Sequence, residues 1–257
     1  KEQMMGLTSR ERVLRALNHE ETDRVPIDLG SSRSTGINAN AYNKLKEYLG
    51  IKTDTICFDV KQDLAYADFD LLKRLGSDVV ILPRLVPSIG IPIDKMKPGK
   101  LPCDGGDCML AEAFNPVDIG GGTLGVFDSE GHLLAKRPKD GLYFDECYNP
   151  LQDAESEEDI DANLKLPGIT DYECDWLRKR AKDIYENTDF CISGATSTSL
   201  FEKGWKDWGM QTFMENLYCE PELIEYYLDK MTDAYIAMMD KYLDAVGEYV
   251  QVVQNND

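Results

Sequence analysis

An α/β fold of the eight-stranded (β/α)8 TIM-barrel type is what this sequence predicts, on three observations. Helical and strand-like segments alternate along most of the chain, the strand-like runs end in polar residues, and no Gly-rich phosphate fingerprint follows the first of them. Alternation implies parallel strands joined by right-handed crossovers. Polar strand exits are where barrel enzymes assemble their sites. Without a glycine fingerprint, an open dinucleotide-binding sheet is disfavoured.

The elements follow in order. Thr8 and Glu11 fit a capping box, after which Val13, Leu14 and Leu17 share a helical face. A short strand is expected over 24–29, starting close to Pro26, with the loop GSSRSTGINAN after it. Tyr42, Leu45 and Leu49 mark a helix stopped by Gly50. Asp63 is expected to cap the next one, with Phe69, Leu72 and Leu75 inward and Gly76 at its end. The β-branched run Val79–Leu82 reads as a buried strand leaving at Pro83-Arg84. Between about 97 and 149, two turn signals separate short alternating runs, which predicts antiparallel hairpins inserted over the main fold. The six acids between Asp153 and Asp161 read as a solvated face. Trp176, Leu177, Ala181 and Ile184 make a helix, and Phe190 to Ile192 start a strand leaving at SGATSTS. Gly204 and Gly209 split the following helix, Pro221 opens a long one, and a strand closes the chain over 249–254.

Four barrel strands against the eight a closed barrel needs predict a single, incomplete barrel domain over 1–257, short of about four βα units. The 257 residues, 42% of them hydrophobic, suffice for a proper core. With 28 basic and 47 acidic residues the net charge is −19, which disfavours nucleic acid and anionic membranes as partners. No apolar run reaches the roughly 18–20 residues that cross a bilayer. Seven scattered cysteines point to reduced thiols in a cytoplasm. Having only two histidines, His19 and His132, disfavours a Ser-His-Asp triad or a His-rich metal site, and no metal ligand is assigned. Cys103 and Cys108 have metal-like spacing without the second ligand pair a zinc site needs.

The block TSRERVLRALNHEETDRVPIDLG and the stretch from SGATSTSLFEKGW through PELIEYYL to VQVVQNND together resemble the uroporphyrinogen decarboxylase superfamily, over essentially the whole chain. The likeness is nearest to its anaerobic branch of corrinoid-dependent methyltransferases and O-demethylases. It implies a TIM barrel and transfer of a methyl group between a small O- or N-methylated substrate and a corrinoid protein. It also implies zinc held by His and Cys in a segment beyond Asp257. A small methylated substrate, a corrinoid protein and a second copy in a homodimer are the expected partners. The alternatives are uroporphyrinogen III decarboxylase or a non-catalytic barrel fragment. The decarboxylase is the weaker implication, because eight substrate carboxylates call for several arginines and the first loop has Arg33 alone. Pro83-Arg84-Leu85 stand where decarboxylases carry an aspartate, and Glu202 stands near their tyrosine.

The candidate site residues lie at the polar strand exits. Glu202 and Asp257 are the catalytic candidates, an acid being needed to protonate a poor leaving oxygen. Arg33, Arg84, Thr196, Ser197 and Asn255 are the substrate-binding candidates, with Ser32, Asn38 and Thr198 beside them. Each has a plainer alternative: a surface arginine for Arg33, an ion pair for Arg84, and helix caps for the hydroxyls.

Overall fold

The computed structural model describes residues 6–255. Helix α1 (Ser9–Leu17) opens on the predicted capping box, Thr8 Oγ1 accepting from Glu11 N and Glu11 accepting from Thr8 N at 2.9 Å. It buries Arg12 and Val13 and leaves Leu14 and Leu17 exposed, so its inner face is rotated from the expected one. Arg12 is the cause. Its guanidinium lies 2.6 Å from both Asp23 and Asp78, and a buried cation needs such partners.

The strand expected over 24–29 does not form. Pro26 has no N–H to give a ladder. Ile27 N donates to the Asp78 carboxylate and Leu29 N to the Ser77 hydroxyl, so side chains take the place of strand partners. One main-chain bond, Asp78 N to Ile27 O at 2.7 Å, keeps the extended segment beside the sheet.

Helix α2 (Ala39–Leu49) is capped by Asn38 and ends at Gly50 with φ 71°, a left-handed turn that glycine adopts without strain. An antiparallel hairpin that the sequence pattern does not predict comes next, β1 (Ile56–Asp59) and β2 (Leu64–Tyr66). Asp63 is not a helix cap. It precedes β2 with φ 53°, buried 2.9 Å from Arg137. Helix α3 (Phe69–Leu75) instead follows Asp68, buries Leu71 and Leu72, leaves Leu75 exposed, and stops at Gly76. Strand β3 (Val79–Leu82) is buried throughout.

The segment expected to hold hairpins contains β4 (Met96–Lys100), β5 (Asp107–Ala111), β6 (Val117–Asp118), β7 (Leu124–Phe127), β8 (Leu133–Arg137) and β9 (Asp145–Glu146). They form two sheets, ordered β2-β1-β5-β4 and β6-β7-β8-β9, so the first also recruits the earlier hairpin. The acidic run becomes the start of α4 (Glu157–Asn163), where Ser156 caps and three first-turn acids meet the positive end of the helix dipole. Then come α5 (Asp171–Asn187), β10 (Cys191–Ala195), α6 (Leu200–Trp208), α7 (Met210–Cys219), α8 (Pro221–Val246) and β11 (Val252–Gln254). Gly209 breaks α6 from α7 as predicted, and Pro221 occupies the first turn of α8.

Strands β3, β10 and β11 form one parallel sheet in the order β11-β10-β3, with Cys191 opposite Val79 and Ser193 opposite Val252. Val80, Leu82 and Ile192 join the main core with Leu177, Ala181, Tyr242 and Val246 from α5 and α8. On the other side, Val79, Cys191 and Val252 pack on Val13 of α1. A second core gathers Trp208, Phe213, Tyr227 and Met231 with Leu151 and Ile160. The described residues therefore make a mixed α/β fold with several sheets and no closed barrel. A barrel's inner face is filled by facing strands; here α1 covers part of that surface.

Candidate functional site

The carboxyl ends of β3, β10 and β11 open on one mouth, completed by the loop after residue 30. Two adjoining cavities of about 80 and 70 Å³ lie there and share Arg33 and Ser197. Ser32, Ser34, Phe58, Ile81, Pro83, Pro87, Thr196 and Gln254 line the first. Glu202, Lys203, Lys206, Ser199 and Tyr235 line the second.

Local chemistry fixes each wall. Ser31 donates to Asp28 and accepts from Gln254 Nε2 at 3.2 Å, tying the loop to the end of β11. Ser32 and Thr35 bond each other's backbone, which turns the chain so that Arg33 projects. Arg33 Nε lies 2.7 Å from Asp59 Oδ2. Asp59 is fully buried at the end of β1, its other oxygen accepting from Lys61 N, Gln62 N and the Ser88 hydroxyl. The arginine's resting position is thus set by a carboxylate that solvent does not reach.

Arg84 is held still more tightly. Its Nε and Nη2 donate to the two oxygens of Glu173 at 2.5 and 3.1 Å, Nη2 also to Gly168 O at 2.9 Å, and Nη1 to Thr196 O at 3.2 Å. Every nitrogen of the group is engaged, so only its flank faces the cavity. The ion-pair alternative for Arg84 is the geometry observed, on the wall of the first cavity.

Thr196 is fully buried, with its hydroxyl in reach of Gln254 O at 2.8 Å and Asn255 Oδ1 at 2.6 Å. Thr198 donates to the same Asn255 oxygen at 2.6 Å. Asn255 therefore clamps the β10 exit to the β11 exit. Between the two threonines, Ser197 has φ 58°, a left-handed backbone that costs a non-glycine residue roughly 1–2 kcal/mol. Strain of that kind collects at functional sites. Ser199 caps α6 by accepting from Glu202 N at 3.1 Å.

Glu202, one turn into α6, lies 2.7 Å from Lys206, which also reaches Glu146 of β9 at 3.4 Å. Lys61 pairs with that same Glu146 oxygen. Burial works to raise the Glu146 carboxyl, but Lys206 and Lys61 outweigh it and hold it below its ordinary value. Lys203 pairs with buried Asp207, whose carboxyl is raised by burial despite that lysine and a 2.9 Å bond from Tyr227.

The structure brings Arg33, Arg84, Thr196, Ser197, Asn255 and Glu202 to one end of the parallel sheet; Asp257 lies outside the described residues. Asn38 caps α2, accepting from Asn40 N, and is not part of either cavity lining. Lys203, Lys206, Tyr235 and Asp59 join the site without having been singled out from sequence. The lysines carried a signal, since Glu202 and Lys206 stand four apart in a helix opening at the β10 exit; Asp59 carried none.

Neither His nor Cys lines the two cavities, so these side chains do not make the nitrogen and sulfur donor set that zinc takes. Among the described residues, one group has metal-like spacing: Asp128, Glu130 and His132 on the β7–β8 turn, where His132 stacks on Tyr148. The cysteines are free thiols. A wider groove of about 940 Å³ lies between α2 and β4–β5, but its buried Lys46 is committed to Thr53 O at 2.5 Å and Thr55. No described helix is long and apolar enough to cross a membrane. Comparison with family models, with curated proteins and with solved structures gave no match.

Proposed function

We propose that this chain acts in methyl transfer, moving a methyl group between a small O- or N-methylated substrate and a corrinoid carried by a partner protein. The observation that supports it is the composition of the mouth. It offers one arginine with free donors, Arg33, and one acid on the cavity wall, Glu202, among several hydroxyls. An octacarboxylate would need several bidentate partners, and Arg84 is already taken by Glu173. A small substrate with a single departing heteroatom matches this lining better.

In this reading Ser197 and Arg33 orient the substrate. The Glu202–Lys206 pair supplies the exchangeable proton that a departing oxygen or nitrogen requires. The corrinoid, when its carrier docks, supplies the cobalt nucleophile that accepts the methyl group. The cavity lining does not fit zinc, and no step is assigned to it.

The test is to mix the protein with a cobalt(I) corrinoid carrier and a panel of methoxylated aromatics and methylamines, following the cobalt absorbance. Formation of methyl-cobalt from one donor, and its loss in Glu202→Gln, is the expected result. No methylation from any donor, together with CO₂ release from uroporphyrinogen, would replace this reading with the decarboxylase.

A further inference from the structure

The mouth does not share the acidic excess of the chain. Acids outnumber bases 47 to 28 overall. The two cavities are lined by Arg33, Lys203, Lys206 and one acid, Glu202, together with Arg84, which Glu173 already pairs. The carboxylates that position two of these cations stand behind them: Asp59 is fully buried behind Arg33, and Asp207 is buried behind Lys203. Arg33 meets Asp59 through Nε, as an ion pair at 2.7 Å without hydrogen-bond geometry. Among the described residues its two terminal nitrogens donate to nothing, leaving the edge that matches a carboxylate in bidentate fashion.

We infer that Arg33, with Lys203 and Lys206, binds the carboxylate of a small organic acid, whose body lies against Phe58, Ile81, Pro83 and Pro87 in the adjoining cavity. This rests on reading the mouth as the substrate site, and it names the charge of the substrate. Size and charge both bear on it. Cavities of about 80 and 70 Å³ that share a wall compare together with the roughly 150 Å³ void that accepts benzene, so the whole acid, carboxylate included, is about the size of one ring. Arg33, Lys61, Lys203 and Lys206 balance Asp59, Glu146, Glu202 and Asp207. One carboxylate can take both unengaged terminal nitrogens of Arg33. A dianion such as phosphate would add a second charge that this single edge does not pair, and partly buried charge of that kind is costly.

Calorimetric titration with benzoate, neutral benzamide and inorganic phosphate tests this directly. Saturable benzoate binding is expected, with benzamide and phosphate each weaker by about tenfold or more, a difference of about 1.4 kcal/mol. The double variant Arg33→Gln/Asp59→Asn removes the cation without leaving a buried carboxylate alone, and should lose benzoate affinity to a similar extent while keeping its helical circular dichroism. Should that variant fail to fold, Lys206→Gln, on a less buried side chain, gives the second reading and should weaken benzoate severalfold. Equal binding of benzamide, tighter binding of phosphate, no saturation at millimolar benzoate, or unchanged affinity in the variants would overturn the inference. Benzoate binding without methyl transfer from any donor would remove the proposed activity and leave the subsite. Methyl transfer without benzoate binding would do the reverse.

Discussion

Removing Glu173 should damage this protein more than removing any acid at the mouth. Arg84 and Glu173 are both buried and joined by two hydrogen bonds, and Glu173 also accepts from Leu85 N at 3.0 Å. Glu173→Ala leaves a buried guanidinium without its counter-charge and a backbone N–H without its acceptor. Breaking one half of a buried pair costs about 3–5 kcal/mol, against a total stability of about 5–15 kcal/mol for ordinary domains. For a chain of this size, 1 kcal/mol shifts Tm by roughly 2–4 °C, so a fall on the order of 10 °C is expected. Replacing both partners, Arg84→Met/Glu173→Leu, removes both charges together. It still leaves buried Leu85 N and Thr196 O short of a partner, at about 1–3 kcal/mol each, the first of which Glu173→Ala loses as well, while exposed Gly168 O can turn to water. The double variant should therefore cost less than the single one. Urea unfolding followed by circular dichroism measures both. A loss under about 1 kcal/mol for Glu173→Ala would show that the pair is solvated in solution and that Arg84 is free after all.

Other expected outcomes concern packing, strain and protons. Gly204→Ala would place a Cβ 2.3 Å from the Phe213 ring, so about 1–3 kcal/mol of overpacking should appear as a lowered Tm. Ser197→Gly should relieve the left-handed strain and raise stability by up to about 1 kcal/mol while weakening substrate binding; a Tm no higher than the parent's would put the strain in doubt. Asp78 is held below its ordinary carboxyl value: burial opposes this, and bonds from Arg24, Ile27 N and Arg12 overcome it. The Arg12 hydrogen bond, partly opposed by burial, lowers Asp23 to about 2. A depressed folded pKa contributes stability above the unfolded carboxyl range, lost as pH falls through the folded value. Stability should therefore drop between roughly pH 4 and 2. Asp78→Asn should flatten that part of the curve, and an unchanged acid limb would refute the assignment.

What the sequence shows well is whatever neighbours decide. The Thr8–Glu11 box, the stops at Gly50 and Gly76, the break at Gly209 and the buried run Val79–Leu82 all follow from local chemistry and all appear. Two local readings failed because distant partners overrode them. Arg12 turned α1 toward Asp78, sixty-six positions away, and Asp78 with Ser77 captured the backbone that 24–29 would have offered a strand. The β1–β2 hairpin was hidden because its strands have four and three residues and a polar turn resembling a helix start. At the mouth, the convergence of Arg33, Ser197, Asn255 and Glu202 was legible from polar strand exits. The fate of Arg84 was not, since Glu173 lies eighty-nine positions on.

Glu146 gives the molecule one more property. It belongs to the hairpin layer, yet it grips Lys61 beside β1 and Lys206 on α6. That layer is thereby stitched to the rim of the mouth by charge, through side chains partly open to water. Salt screens such a stitch far more than it screens the clasp of Arg84 on Glu173. Rising ionic strength should loosen the grip of Glu146 on Lys206, while Val126, Ala135 and Phe144, packed into the main core, keep the layer in place.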